Sequence, residues 1–315
     1  MTRIGYFLAS EEHGPTELVD LAERAEGAGF EALWISDHFH PWIDAQGQSP
    51  FVWCTLGGLA RATSLPVTTA VTCPIARMHP AVVAHAATTA AVMLPGGFRL
   101  GVGTGEALNE HVVGARWPPP PVRLDMLVEA LDLMRELWCG GVVTRRGRFF
   151  TVEGARLYTR PDGPVPVPVS AFGPAALRVA IDHGDGWITT APDADMLTDY
   201  RAGGGQGPTM GGVKVCWAVD EATARQTARD RWPNEALPGN LAQELPMPAH
   251  FEQATALVTE DHMAEQMPCG PDPERHLEAI GRYVDAGFDE VYVSQVGPEQ
   301  EGFFRFFERE LRPKL

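Results

Sequence analysis

Basic residues are scarce in this 315-residue sequence: 25 lysines and arginines stand against 41 aspartates and glutamates, a formal charge of −16. So acidic a surface repels phosphate backbones and anionic lipid, which speaks against nucleic acid and membrane surfaces as partners. Long hydrophobic runs are also missing; none approaches the roughly 18 residues that a bilayer span requires. The opening Met1-Thr2-Arg3-Ile4-Gly5-Tyr6 lacks the long apolar stretch of a signal peptide. Cysteine is sparse and dispersed, at 54, 73, 139, 216 and 269, with no Cys-x-x-Cys pair. Such an odd, scattered set excludes a disulfide scaffold or zinc ribbon and fits reduced thiols in the cytoplasm. No sequence repeat, low-complexity tract or dividing linker is found. What remains is a globular protein, and 44% hydrophobic residues supply an ample core.

Short apolar runs alternate with amphipathic segments along nearly the whole chain. Candidate strands are Ile4–Ala9, Ala32–Asp37, Val67–Thr72, Arg99–Gly105, Val165–Ala171, Gly186–Ala191, Val213–Asp220 and Glu290–Val296. Several are apolar on both faces, as in Val165-Pro166-Val167-Pro168-Val169, which suits parallel strands covered on both sides. Helical patterns lie between them, among them Glu17–Gly27, Pro80–Met93, Leu124–Leu137, Pro174–His183 and Pro273–Ala286. Gly29 and Gly287 each precede Phe and the next strand, the expected helix stop. Eight strands interleaved with helices predict an α/β fold, a (β/α)8 TIM barrel in one domain over 1–315. A doubly wound open sheet is the competing arrangement. Proline-rich Trp117–Pro121, a hairpin over Gly140–Thr159, glycine-rich Arg201–Gly212 and acidic Pro233–Gly270 interrupt the rhythm. Insertions at about 106–123, 140–160 and 233–270 are expected to shape the mouth at the strands' C-terminal ends.

Catalytic groups of a barrel sit at those ends. The second strand runs into Ser36-Asp37-His38-Phe39-His40-Pro41-Trp42, an unusual concentration of histidine, carboxylate and indole. Three readings stand: a solvated loop with Trp42 packed on a neighbour, a metal site without any supporting ligand spacing, or His38 as a general base near pH 7. The fourth strand ends in Gly101-Val102-Gly103-Thr104-Gly105-Glu106, without the Gly-Lys-Ser/Thr of a phosphate loop. Bare backbone there suits close approach of a flat ligand, with Glu106 either a proton donor or a solvated helix cap. After the fifth strand, the amides of Phe172 and Gly173 face any anion docked at the next helix, although Pro174 also marks an ordinary helix start.

The run Ile35–Trp42, the run Gly101–Glu110 and the N-terminal Tyr6…Ser10-Glu11 resemble luciferase-like oxidoreductases that use coenzyme F420, an 8-hydroxy-5-deazaflavin. Within them the resemblance is to the F420-dependent glucose-6-phosphate dehydrogenase group. It extends over essentially the whole chain through Arg77…Pro80-Ala81-Val82, Gly173-Pro174, Gly184-Asp185-Gly186 and Asp272-Pro273. It implies a coenzyme lined by Asp37, Ala70, Val71, Thr104, Gly105, Glu106, Asn109, Phe172 and Gly173, with a cis peptide between Ala70 and Val71. It also implies that His38 removes a hydroxyl proton during hydride transfer, that Trp42 stabilises the charged intermediate, that Glu106 protonates the ring nitrogen N1 and that Glu11 lies near the substrate. In the reverse direction His38 or Glu11 would donate a proton to an activated double bond. An FMN-dependent monooxygenase on the same barrel, an F420-dependent sugar-phosphate dehydrogenase and a coenzyme-binding protein without catalysis are the rival readings.

One departure bears on the substrate. Glucose-6-phosphate members hold the phosphate with two lysines and an arginine; the matching positions here are Asp193 and residues near Ala242 and Gln266. No lysine or arginine occurs between Arg231 and Arg275. A buried phosphate without cations is strongly disfavoured, unless Arg77 or Arg201 swings in. The expected substrate is therefore a non-phosphorylated small molecule or peptide, and the expected assembly a homodimer.

Overall fold

The computed structural model describes residues 2–315. Its strands are β1 (Arg3–Leu8), β2 (Leu33–Ile35), β3 (Val67–Thr69), β4 (Phe98–Arg99), β5 (Val143–Arg146), β6 (Thr151–Ala155), β7 (Val169–Ser170), β8 (Trp187–Thr189), β9 (Thr209–Val215) and β10 (Glu290–Gln295). Eight of them form one parallel sheet in the order β4-β3-β2-β1-β10-β9-β8-β7. Val102 bridges in parallel to both Thr72 and Val169, so the sheet curls until β4 meets β7. The result is the predicted barrel, and β5 and β6 form the predicted hairpin as an antiparallel pair outside it.

Alternation along the strands divides the packing. Tyr6 turns outward onto Phe30 and Phe304, while Trp34 turns inward and stacks on Tyr292 at 4.2 Å. Ile188, Met210 and Phe7 complete that inner layer. Beneath it Arg99 forks onto Glu290 at 2.9 and 2.8 Å and also donates to the Tyr292 hydroxyl, a polar floor far from the mouth. The helices Pro80–Met93, Pro174–His183 and Pro273–Ala286 have the predicted bounds. Gly29 and Gly287 end their helices with φ near +93° and +96°, the left-handed stop expected of them.

Two strands depart most from expectation: β4 is Phe98–Arg99 where Arg99–Gly105 is expected, and β9 starts early. Val213–Asp220 was the sequence expectation, but β9 begins at Thr209 inside the glycine-rich stretch. Gly211 and Gly212 belong to the strand because neighbours approach too closely for a side chain. A Cβ would lie 2.2 Å from the Tyr283 ring at Gly211 and 2.8 Å from the Trp34 ring at Gly212.

The 233–270 insertion is built of short helices, Pro233–Ala236, Leu241–Glu244, Pro248–Ala254 and Glu260–Gln266. Phe251 is fully buried and meets the Trp42 ring at 5.3 Å, which brings this insertion down onto the histidine loop. Buried Arg123 donates to the Pro118 carbonyl, Gln243 and Glu244, and so ties the proline-rich segment to the same insertion. Among the described residues no helix is long and apolar enough to cross a membrane.

Candidate active site

The ends of β1 and β2 bring three of the expected catalytic residues together. His38 Nε2 lies 3.4 Å from Glu11 Oε1, and the Trp42 ring stands roughly edge-on to His38 at 4.9 Å. All this is largely dry: Glu11 is 3% and His38 8% exposed. On its other side the His38 Nδ1 faces the His40 carbonyl at 3.1 Å. His40 itself is engaged through Nδ1 with the Leu108 carbonyl at 3.0 Å.

Asn109 links this loop to the fourth strand. Its Oδ1 accepts from the amides of Phe39 and His40 at 2.8 and 3.2 Å, while Nδ2 donates to Glu106 Oε2 at 3.3 Å. It is 1% exposed, so its carboxamide organises the loop from within. Glu106 begins the short helix Ala107–Glu110 with its backbone carbonyl, while its side chain makes no cap and turns to Asn109.

Below the loop lies a cluster that the sequence did not announce. Asp37 Oδ1 accepts from Arg77 at 2.6 Å and Oδ2 from Thr72 Oγ1 at 2.8 Å. Arg77 is held in turn by Glu110, whose Oε2 accepts from the Arg77 amide at 2.6 Å. Burial pushes the Glu110 carboxyl up to about 7, against the lowering pull of the Arg77 amide and charge. Arg77 thus serves Asp37 and is not free to receive a phosphate. Its signal lay in the Arg77…Pro80 run, but only the fold brings residue 77 beneath residue 37.

The remaining expected coenzyme residues lie beyond the ends of β3, β4 and β7. The Ala70–Val71 peptide is cis, as the resemblance implied. A Cβ on Gly103 would lie 2.8 Å from Val71, and one on Gly105, where φ is +72°, would lie 2.6 Å from the Cys73 sulfur. Thr104 is half-buried beside them. Beyond β7, Phe172 is 56% exposed, and nothing lies within 4 Å of where a Gly173 Cβ would be. Gly173 begins the ten-residue helix Pro174–His183, and no side chain caps that helix start. A flat ring against bare backbone with an anionic group at that helix start fits these residues.

The other side of the mouth differs. A pocket of about 210 Å³ beside β8 and β9 is lined by Thr190, Pro192, Gly212, Lys214, Glu235 and Gln266, among others. Lys214 is a cation that sequence reasoning overlooked; it lies 3.0 Å from Glu235 and over the Trp232 ring. Arg275 and Arg282 on the same pocket pair with Glu221 and Glu278. Asp193, one of the expected phosphate positions, caps the helix Ala194–Ala202 by accepting from the Met196 amide at 2.8 Å. Arg201 is spent on the Gly287 carbonyl, at 2.6 Å.

A barrel with a buried histidine–carboxylate pair and bare backbone at its mouth suits an enzyme that takes a flat cofactor, and comparison places the chain in a family of oxidoreductases. Residues 1–290 match the luciferase-like monooxygenase family, and the chain belongs to it. Its relatives include proteins named F420-dependent glucose-6-phosphate dehydrogenase from Microbacterium testaceum, 36% identical over 99% of this chain and 97% of the relative. One of the same name from Mycolicibacterium smegmatis is 33% identical over 99% of this chain and 98% of the relative. Among solved structures, an F420-dependent secondary alcohol dehydrogenase in complex with an F420-acetone adduct superposes with a TM-score of 0.89. It is 31% identical and covers 99% of this chain and 98% of its own.

Proposed function

We propose that this chain is a cytoplasmic coenzyme F420-dependent oxidoreductase, a single barrel domain that acts on a non-phosphorylated small molecule or peptide. The dependence on F420 is supported by relatives and a structural neighbour so named, at 31–36% identity across the chain. When bound, the deazaflavin exchanges a hydride at its C5 carbon. The chain supplies the rest. Val71 and the Gly103–Gly105 backbone form a platform for the ring, Asp37 lies beside it under the control of Arg77, and the Phe172 and Gly173 amides receive a phosphate. His38 takes or gives the substrate proton at Nε2, Glu11 steadies its charge, the Trp42 edge shields the pair from water, and Glu106 serves as the proton donor to the ring.

The observation that carries the substrate reading is the use of Asp193 as a helix cap at a position where the family resemblance implies a phosphate-binding lysine. Every lysine and arginine lining the neighbouring pocket is already paired with a carboxylate. A second reading, oxidation of a sugar phosphate, is favoured by the relatives' names and by Lys214. A screen of alcohols, carbonyl compounds and glucose 6-phosphate against oxidised and reduced F420, followed by deazaflavin absorbance, decides between them. Unphosphorylated substrates are expected to turn over. Turnover with FMN and oxygen instead would overturn the assignment. The working form proposed is a homodimer: exposed Val82 and Met93 line an apolar groove with Trp53 and Leu56, which a second copy would cover. Sedimentation as a monomer would refute that part.

A further inference from the structure

The pocket beside β8 and β9 takes no part in the chemistry above, yet it opens on the same mouth. A Cβ on Gly212 would meet the Trp34 ring of the inner layer, so Lys214, two residues further along β9, faces the barrel axis as well and stands nearer the mouth. Its side chain is largely buried, and its ammonium lies 4.7 Å from the centre of the Trp232 ring. Gln46 joins this wall to the histidine loop: it accepts from the Trp42 amide at 2.8 Å and donates to the Arg231 carbonyl at 2.9 Å. Trp42 also packs against the cluster that holds Trp232 and Met267. The pocket and the catalytic loop share a wall.

The polar groups of the pocket are unevenly used. Lys214 pairs with Glu235 Oε1 at 3.0 Å, and among the described residues its ammonium donates to no other group. An ammonium carries three donors, so at least two are spare. The Asn234 side-chain amide also reaches Oε1, at 3.5 Å, which leaves Glu235 Oε2 without a donor. Arg275 is divided between Glu221 and the Cys269 carbonyl, and Arg282 is held by Glu278. The spare capacity in this cavity of about 210 Å³ therefore belongs to one cation beside one anion.

A phosphate dianion drawn to Lys214 is repelled by Glu235 alongside it. A simple carboxylate or a simple amine satisfies one member of the pair and strands the other. A group with both charges on neighbouring atoms satisfies each and leaves no desolvated charge uncompensated. We propose that Lys214 and Glu235 are specificity-determining residues that receive the zwitterionic head of an α-amino acid, its carboxylate on the Lys214 ammonium and its ammonium on Glu235 Oε2. The reacting hydroxyl or carbonyl group then belongs to the amino acid's side chain, directed from the shared wall towards His38. This rests on the reading of the substrate as non-phosphorylated.

The test is NMR titration of the coenzyme-free protein with homoserine, an amino acid with a side-chain hydroxyl, and with two truncations of it. One is γ-hydroxybutyrate, which lacks the amine; the other is aminopropanol, which lacks the carboxylate. The unmodified protein should bind homoserine about tenfold tighter, or more, than either truncation. Glu235→Gln should bring homoserine and γ-hydroxybutyrate to equal affinity, and Lys214→Met should do the same for homoserine and aminopropanol. A merely structural pair would weaken all three probes together or none of them, and either result overturns the proposal. So does failure of homoserine to bind the unmodified protein. Should Lys214→Met fail to fold, Glu235→Gln, at the more exposed partner, decides alone. Glucose 6-phosphate, titrated in parallel, separates the two claims. Tight binding of it, lost in Lys214→Met, would defeat the non-phosphorylated reading itself, whereas weak binding of both it and homoserine would sink the amino-acid proposal alone.

Discussion

The two sides of the barrel mouth are built on opposite principles. At the ends of β1 to β4, buried side chains interlock: Ser10, Ser36, Glu11 and His38 form one chain of contacts, and Thr72, Asp37, Arg77 and Glu110 form another. At the ends of β8 and β9, charges are more exposed and meet in separate pairs, such as Lys214 with Glu235 and Arg282 with Glu278. An interlocked, dry site holds its side chains in one geometry, which chemistry needs. A surface of isolated pairs can change its partners residue by residue, which suits selection among substrates. On this view the reaction is set on one side of the mouth and the substrate on the other.

The largest expected effect breaks the interlocked side. Arg77→Met leaves Asp37 and Glu110 buried without their cation and should cost about 3–5 kcal/mol of stability, read from the denaturant midpoint. An unchanged midpoint would mean the cluster is not a unit. Next comes chemistry: His38→Ala and Glu106→Gln should each lower turnover about 10²–10⁴-fold while coenzyme affinity stays within about tenfold. Loss of coenzyme binding in either variant would instead make that residue part of the platform.

A smaller effect depends on pH. The Glu110 carboxyl is raised from the ordinary 4.5 to about 7, so the fold favours its neutral form. Its contribution to stability is complete below pH 4.5 and is lost as pH rises towards 7, by up to about 3 kcal/mol. Glu110→Gln should flatten the stability profile across that window; a profile with the same slope would show that another group titrates there. The smallest effect lies on the paired side. Asp193→Ala should cost about 1 kcal/mol through the lost helix cap, measured by thermal unfolding. Asp193→Lys should lose the same cap without gaining oxidation of glucose 6-phosphate. One cation cannot replace a clamp of three.

The division also governs what could be read from sequence. The interlocked side was legible as a candidate site because its residues fall in two short runs, Ser36–Trp42 and Gly101–Asn109, placed where parallel strands end. The strand alternation and the glycine stops at 29 and 287 likewise announced the barrel. The start of β9 was hidden, since Gly211 and Gly212 read as a turn until Tyr283 and Trp34 are seen to press on them. The Arg77–Asp37 contact spans 40 residues, and nothing local marks it. Lys214 stands outside the 233–270 insertion and was missed by a search for cations confined to that segment. Asp193 was read as a missing lysine, whereas its position just before a helix gives it a task of its own.

The most direct test of the whole account is deazaflavin absorbance in the unmodified protein mixed with oxidised F420, glucose 6-phosphate at millimolar concentration and, separately, a panel of unphosphorylated alcohols. The account predicts that F420 binds, that glucose 6-phosphate leaves its absorbance unchanged and that at least one unphosphorylated alcohol bleaches it. Rapid bleaching by glucose 6-phosphate would contradict it and make Lys214 the centre of a phosphate site.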